Sequence, residues 1–523
     1  MRWDVVSLVV GWTLALLTVP LIVLAGLSIP LDGYSPVLLQ AFLVPALLSI
    51  IFGVLLILNG TRIDSDQRLR DREAFAAVAL GWPTAVIVGA IPFWLGGMFH
   101  GPAAFFAGDS TFVEAAGGLL RAGFESMSGF TTTGATVIDP LTSPLCTAAV
   151  PDCIGAQPRS LLLWRSLTQW LGGMGIIMLG MLILSRWLGG GMSIAQAELT
   201  GPSLSRLRPT LEQTARVLWS IYIVFTLLEF IALWGLTQMN AFHAANYALT
   251  TLPTGGFGTT DGGVMDWDSP LVEIIITIFM ILAGTNFSLF YLAVFGDGRK
   301  ATDDDEFKFY LIVLFAAWAF MAVNLMLNSQ KNGYSNGDAI RHALFQAASI
   351  GTSTGFASSD FASWPVLSLL ILIGMMVVGA SAGSTGGGLK ILRLRIIFGL
   401  MYREISRLIQ PRKLVALRFN GEVVEESRIL LVIGMLSAWI ALAGISAMML
   451  TFFEPTMSLE TLISVVASSL GNTGPALGEY GPTNTWASMH WLTLCWTGLL
   501  MWAGRLELLT VLVLLHPRTW KNP

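Results

Sequence analysis

Apolar positions form long runs near 5–27, 37–59, 75–98, 161–185, 217–238, 272–295, 308–328, 365–397, 429–452 and 489–515, with polar residues gathered between them. About 20 apolar residues in a helix cross a ~30 Å hydrocarbon core, so the ten runs predict ten spans, the eighth of them interrupted. Four shorter, mildly apolar segments follow spans three, five, seven and nine, near 112–128, 241–252, 338–349 and 458–469. They are too short to cross and predict helices that enter the membrane and turn back. Non-helical backbone at that depth persists only where protein buries it or where it lines a water-filled cavity. Four such segments at matching positions point to a pore.

Composition strengthens this picture. Of 523 residues, 54% are hydrophobic and 12% charged, and mean hydropathy is +0.70. The charged share is about half that of a soluble domain. A soluble enzyme, a disordered chain and a secreted disulfide scaffold are thereby excluded. A net charge of −4 offers no basic field for nucleic acid. Basic residues cluster after even-numbered spans: Arg62, Arg68, Arg70 and Arg72; Arg186, Arg206, Arg208 and Arg216; Arg299, Lys300 and Lys308; then Lys390 through Arg428, including Lys413; and finally Arg518 and Lys521. The opposite loops carry acids, among them Asp109, Asp139, Asp152, Asp261, Asp360, Glu454 and Glu479. The positive-inside rule therefore expects both termini in the cytoplasm. Met1-Arg2-Trp3-Asp4 followed by a long apolar run, with no small-residue cleavage site, reads as a retained first span. Cys146 and Cys153 share one loop and are either paired or two thiols, whereas Cys495, inside an apolar run, reads as a packing residue.

Behind each short segment lies a Gly/Thr/Ser-rich stretch. With Gly134, Gly256, Gly355 and Gly474 in register, the intervals are 122, 99 and 119 residues. Each interval holds a span, a link, another span and the next short helix. The predicted fold is an all-α polytopic membrane protein with four pseudo-symmetric helix–pore-loop–helix repeats around a central pore and two additional N-terminal helices. Its units are 1–72 (the two additional helices), 73–200, 201–306, 307–413 (whose second helix is interrupted) and 414–523. A dehydrating monovalent cation needs a ring of oxygen ligands, which backbone carbonyls supply when the chain runs extended along a pore axis. Glycine permits the φ/ψ that turn successive carbonyls inward. Candidate ligands are Thr132, Thr133, Gly134, Thr254, Gly255, Gly256, Ser353, Thr354, Gly355, Asn472, Thr473 and Gly474. Each short helix directs its partially negative C-terminus at the same point.

These stretches, Phe130-Thr-Thr-Thr-Gly-Ala-Thr136, Leu252-Pro-Thr-Gly-Gly-Phe-Gly258, Gly351-Thr-Ser-Thr-Gly-Phe-Ala357 and Leu470-Gly-Asn-Thr-Gly-Pro475, resemble the Trk/Ktr/HKT superfamily of cation-translocating proteins. So do Trp164-Arg-Ser-Leu-Thr-Gln-Trp-Leu-Gly-Gly-Met-Gly175, Gly383-Ser-Thr-Gly-Gly-Gly-Leu-Lys390 and Gly504-Arg-Leu-Glu-Leu508. The likeness runs from about residue 60 to the end, and the two additional helices favour the TrkH branch over the shorter Ktr branch. It implies potassium as the transported ion, with glycine at all four filter positions, and no organic cofactor. Ala476 departs from the glycine found in many relatives. The resemblance further implies a homodimer in the bacterial inner membrane, in contact with lipid and docked on a TrkA-like cytosolic nucleotide-binding regulatory subunit. The basic stretch 390–428 is a candidate contact for that subunit, and it is equally what the positive-inside rule alone produces.

The glycine-rich break at Gly379–Gly388 is either a kink or, as the resemblance implies, an intramembrane gate. Its candidate gate residues are Gly379, Gly383, Ser384, Thr385, Gly386, Gly387 and Gly388, with Arg505. Arg505 reads either as a partner for another helix or as a positive barrier beneath the filter. Arg165 is expected to stabilise a filter loop, and Glu125 to anchor the filter or to pair locally. Asp303-Asp304-Asp305-Glu306 reads as a solvated connection. The alternatives are a proton- or sodium-coupled potassium symporter and a sodium-permeable relative. Coupling through a titrating group needs a buried acid, for which the sequence offers Glu125 and Glu507. No His-Glu-x-x-His or Cys/His cluster suggests an enzyme.

Overall fold

The computed structural model describes residues 3–60, 71–108, 110–147, 150, 152–175, 211–296, 298–329, 333–412, 415–506 and 508–520. Arg62, Arg68, Arg70, Asp109, Arg186, Arg206, Arg208, Lys413, Glu507, Lys521 and the second half of the expected 161–185 span lie outside these residues.

Long helices form where the apolar runs are unbroken. These are α1 (Trp3–Asp32), α2 (Pro36–Gly60) and α3 (Asp71–Leu95), then, after the short α4 (Pro102–Ala107), α5 (Phe112–Phe130) and α6 (Arg159–Gly173). The chain continues through α7 (Leu211–Leu236), α8 (Ala241–Thr251), α9 (Pro270–Ala283), α10 (Phe287–Phe295), α11 (Gly298–Thr302), α12 (Asp305–Leu327), α13 (Asn336–Gly351), α14 (Val366–Val378) and α15 (Ile391–Ile409). Strands β1 (Arg418–Phe419) and β2 (Glu422–Val423) form a hairpin, followed by α16 (Glu426–Phe453), α17 (Leu459–Gly471), α18 (Trp491–Arg505), α19 (Leu508–Leu515) and α20 (Pro517–Trp520). Among the described residues, α1, α2, α3, α7, α12 and α16 are long and apolar enough to cross a membrane. Pro20, Pro30, Pro45, Pro83 and Pro92 sit inside the first three, a placement that neighbouring helices make tolerable in lipid.

The expected span at 272–295 is not one straight helix. It bends by 91° between α9 and α10, the second of which is capped by Asn286 accepting from Ser288 N–H at 2.9 Å. Hydropathy registers only the apolar run. The bend arises because the backbone of Ala283, Gly284 and Phe287 bonds to the 379–390 loop instead of continuing the helix. That loop is likewise non-helical, joining α14 to α15.

The short helices begin with caps written into the sequence. Thr111, Asn240, Ser335 and Ser458 each accept a backbone N–H three residues on, from Glu114, His243, Asp338 and Thr461. Thr111 and Glu114 complete a capping box. From these caps α5, α8, α13 and α17 run inward, and their last turns are buried. Cys146 and Cys153 are disulfide-bonded. Cys495, expected to pack, instead lies on the exposed face of α18, since one side of a peripheral apolar helix faces away from the protein.

The N-terminal pair α1 and α2 packs through small residues, and Asp32 at the end of α1 accepts from Arg159 and Ser160 N–H to seat α6. A Cβ at Gly11 would stand 2.8 Å from Gly53 O and 2.9 Å from Ile57 N. Gly11→Leu is therefore expected to cost about 1–3 kcal/mol by overpacking. The check is a lowered thermal midpoint of the purified protein, with unchanged ion preference in the same preparation.

Candidate functional site

The four Gly/Thr-rich loops adopt one backbone conformation. Thr132, Thr254, Ser353 and Asn472 have φ of 52°, 56°, 60° and 53°, and two residues on Gly134, Gly256, Gly355 and Gly474 have φ of 86°, 79°, 88° and 98°. A non-glycine residue at positive φ costs about 1–3 kcal/mol and persists only when its surroundings fix it. Here the fixing element is the helix behind. In each loop the N–H between those two residues bonds back five positions: Thr133 to Ser128 O at 2.9 Å, Gly255 to Thr250 O at 2.8 Å, Thr354 to Ser349 O at 2.8 Å and Thr473 to Ser468 O at 3.0 Å. These bonds use helix carbonyls that would otherwise be left unsatisfied.

The loops then touch in cyclic order. A Cβ at Gly134 would lie 2.2 Å from Gly255 O, at Gly256 2.0 Å from Thr354 O, at Gly355 2.0 Å from Thr473 O, and at Gly474 2.4 Å from Thr133 O. The structure thus brings all twelve candidate ligand residues into four adjoining loops. Several hydroxyls face back into the protein: Thr133 pairs with Thr131 at 2.8 Å and Thr354 with Thr352 at 2.7 Å. Asn472 donates to Thr133 Oγ1 and to Met501 O, tying the fourth loop to the first. Among the described residues no group of three His, Cys, Asp or Glu side chains gathers to hold a metal, so the chemistry available here is that of carbonyl and hydroxyl oxygen.

A buried ion pair braces this arrangement. Arg165 Nε of α6 lies 2.6 Å from Glu125 Oε1 of α5, and the two side chains are 2% and 0% exposed. Glu125 also accepts from Thr136 Oγ1 and Val137 N–H, each at 3.0 Å, beyond the first loop. Arg165 donates to Gly258 O at 2.9 Å and stacks 3.5 Å over the Phe257 ring, beyond the second. Both readings of Glu125 thus meet in one contact. Gln169, one turn further along α6, donates to Gly255 O and accepts from Phe257 N–H. No role for Gln169 follows from the sequence, although a polar residue inside an apolar span is itself a signal. The third and fourth loops are held differently, by Gln346 and Ser349 donating to Phe356 O and by Ser464 accepting from Leu477 N–H. Ala476 donates its N–H to Tyr480 O. At the cap side Asp261 accepts from Cys153 and Ile154 N–H, while burial pushes its carboxyl up.

Beneath the ring sits the 379–390 loop. Thr385 Oγ1 donates to Leu252 O at 2.9 Å, Gly387 N–H donates to Ser353 Oγ at 2.5 Å, and a Cβ at Gly387 would stand 2.2 Å from Gly471 O. Ser384 Oγ closes a turn on Ser381 O, and a Cβ at Gly386 would stand 2.6 Å from that of Ala380. Gly379, Gly383 and Gly388 have φ of 69°, 73° and 76°, and a Cβ on Gly379 would meet Gly387 O at 2.2 Å. Arg505 spans the remaining gap, donating to Thr385 O at 2.7 Å and to Gly172 and Gly173 O at 3.0 and 2.9 Å. It therefore joins the loop to the C-terminal carbonyls of α6, where a cation is favoured. A cavity of about 60 Å³ remains, lined by Trp82, Phe287, Gly383, Gly387, Lys390 and Arg505.

The sequence passed over further buried acids. Glu229 of α7 and Glu273 of α9 are 0% and 4% exposed, and Glu273 lies 3.5 Å from Arg341. Glu306, read as part of a solvated connection, is 5% exposed and bonds to the loop through Ala382 N–H.

Residues 105–521 match the family described as TrkH, cation transport protein. The chain is 33% identical to the Trk system potassium uptake protein TrkH of Escherichia coli K12 over 461 residues, 87% of each chain. It is 33% identical to the protein of the same name from Halomonas elongata over 491 residues, 92% of each. The crystal structure of the potassium transporter TrkH from Vibrio parahaemolyticus superposes with a TM-score of 0.81 at 28% identity, covering 100% of both chains.

Arg165→Gln leaves Glu125 buried without its cation and is expected to cost about 3–5 kcal/mol, read as loss of the folded fraction on heating. Glu125→Gln combined with it is expected to cost less than the sum of the two single changes, the coupling of a contacting pair in a double-mutant cycle.

Proposed function

The chain belongs to the TrkH family of cation transport proteins, and from that premise we propose that it takes up potassium through a filter built by the four loops. It is a multi-pass membrane protein and not an enzyme. The observation that carries the filter reading is the cyclic contact of Gly134, Gly256, Gly355 and Gly474 with the carbonyls of the neighbouring loops. In this reading each unit from 73–200 to 414–523 contributes one quarter of the ring, and the carbonyls there replace the water shell of a potassium ion. Four short helices end at the ring, so their partial negative charges stabilise a cation at its centre. Thr133 and Thr354 act as supports, because their hydroxyls are engaged behind the loops.

The 379–390 loop is the gate. Gly379, Gly383, Ser384, Thr385, Gly386, Gly387 and Gly388 fill the path below the ring, and Arg505 adds positive charge there while holding Thr385 in place. Opening requires the loop to release Leu252, Ser353 and Arg505. Both termini are cytoplasmic, the capped ends of the short helices face outward, and the protein lies in the bacterial inner membrane as a homodimer governed by a TrkA-like nucleotide-binding subunit. A second reading, proton-coupled symport, draws on Glu229, an acid fully buried within α7.

Flux into liposomes holding the full-length protein, under opposed potassium and sodium gradients, separates these readings. Potassium movement down its own gradient, indifferent to a pH gradient, is expected; uphill movement driven by protons would replace the channel-like reading with symport. Gly134→Ser places a side chain against Gly255 O and is expected to lower potassium-over-sodium preference about tenfold, or about 1.4 kcal/mol. Unchanged preference would remove Gly134 from the filter. Deleting residues within 380–387 is expected to raise flux, and an inert but folded deletion variant would count against the gate.

A further inference from the structure

The 379–390 loop is also held by a residue outside the four loops of the ring. Glu306 lies in the first turn of α12, and its Oε1 accepts from Ala382 N–H at 2.5 Å. The two residues before it grip a different element. Asp304 caps α12 by accepting from Phe307 N–H at 2.9 Å, and its second oxygen accepts from Asn420 Nδ2 at 2.7 Å. Asp305 N–H donates to Asn420 Oδ1 at 2.8 Å, and Asn420 N–H donates to Asp305 Oδ2 at 2.7 Å. Asn420 and Gly421 form the turn of the β1–β2 hairpin, with φ of 48° and 78°, the backbone that a two-residue hairpin turn demands.

These contacts close a mechanical circuit. From Ala382 the loop runs through Lys390 into α15, and eight residues separate the end of α15 from the hairpin. The hairpin tip is clamped to Asp304 and Asp305, and the next residue, Glu306, returns to Ala382. Asp304, Asp305 and Glu306 are consecutive and share the start of one helix, so a displacement of the hairpin tip reorients the carboxylate that holds the loop. Asn420 itself is exposed. The clamp is therefore reachable from solvent, whereas Glu306 is buried.

We propose that Glu306 is a positioning residue that keeps the loop across the permeation path, and that the Asn420 clamp sets how firmly it does so. The inference rests on the reading of 379–390 as the gate. It gives the hairpin a purpose: a cytosolic protein pressing on Asn420 would act on the loop through three covalently linked acids.

The test compares potassium flux in liposomes for the full-length protein, Glu306→Ala, Glu306→Gln, Asn420→Ala and the loop-shortened variant. Glu306→Ala is expected to raise flux roughly tenfold, the scale set by leaving the buried Ala382 N–H without its acceptor, and Asn420→Ala roughly threefold. Glu306→Gln, which keeps an oxygen acceptor for Ala382, is expected to reverse most of the Glu306→Ala effect. Potassium-over-sodium preference should stay at the wild-type ratio throughout, whereas a generally loosened protein would lose it. Adding Glu306→Ala to the shortened loop should give no further increase. Increased flux from the shortened loop with unchanged flux in Glu306→Ala would overturn the inference and leave the gate reading standing. No increase from the shortened loop would overturn the gate reading itself. If Glu306→Ala does not fold, Asn420→Ala decides alone, since its side chain lies outside the buried region; unchanged flux there, with the shortened loop active, overturns the inference.

Discussion

At Gly134, Gly256, Gly355 and Gly474 a carbonyl oxygen of the next loop lies 2.0–2.4 Å from where a Cβ would stand, and much of the structure serves to keep four backbones that close. Such an approach needs glycine on steric grounds, and the positive φ at each position needs it a second time. The approach also needs the preceding residues to be immobile, which explains the bond running back five positions from each loop to its helix. The helix in turn needs a fixed start, supplied by Thr111, Asn240, Ser335 and Ser458. Cap, helix, back-bond and glycine form one dependency, repeated four times with different residues.

Two arginines carry charge into this assembly and solve the burial problem in different ways. Arg165 meets a carboxylate, a carbonyl and the face of Phe257, so its charge is matched on several sides. Desolvating such a pair costs several kcal/mol per ion, which excellent geometry must offset. What the pair contributes is a fixed point between two loop exits, and net stability is a weaker argument for its presence. Arg505 bonds to three backbone carbonyls, two at the C-terminal end of α6 and one in the 379–390 loop. Three carbonyl dipoles thus face its charge, and moving the loop removes one of them while the two at the end of α6 remain.

The readable parts of the sequence were those governed by local chemistry. A sub-spanning apolar segment followed by Gly and Thr is a pattern of neighbouring residues, and it located the four short helices and the loops behind them. Gly379–Gly388 announced itself because no continuous helix carries so many glycines. What stayed hidden depends on distant partners. The 91° bend after Ala283 lies in a run as apolar as any straight span, and only the loop about 100 residues later explains it. Glu306 follows three aspartates, two of which do meet an exposed turn, so nothing in composition sets the fourth acid apart as the buried one. The loop exits are held by Glu125, Gln169, Gln346 and Ser464, three residue types that contact different backbone atoms, so no single motif announces them.

The loop and the ring share atoms, which limits how a gate in this position can work. Ser353 belongs to the third loop, and its hydroxyl accepts from Gly387. Leu252, just before the second loop, accepts from Thr385, and Gly471, just before the fourth, is in contact with Gly387. Displacing the loop therefore strips hydrogen-bond partners from the second and third units at once and a packing contact from the fourth, and the buried oxygens of Leu252 and Ser353 must be satisfied anew. Water is the available substitute, but the cavity of about 60 Å³ beneath the ring holds at most a few molecules. Room for water and the loss of the loop's hydrogen bonds must consequently arrive together. If this loop is the gate, it moves as a unit, because its bonds to the second and third units are lost together.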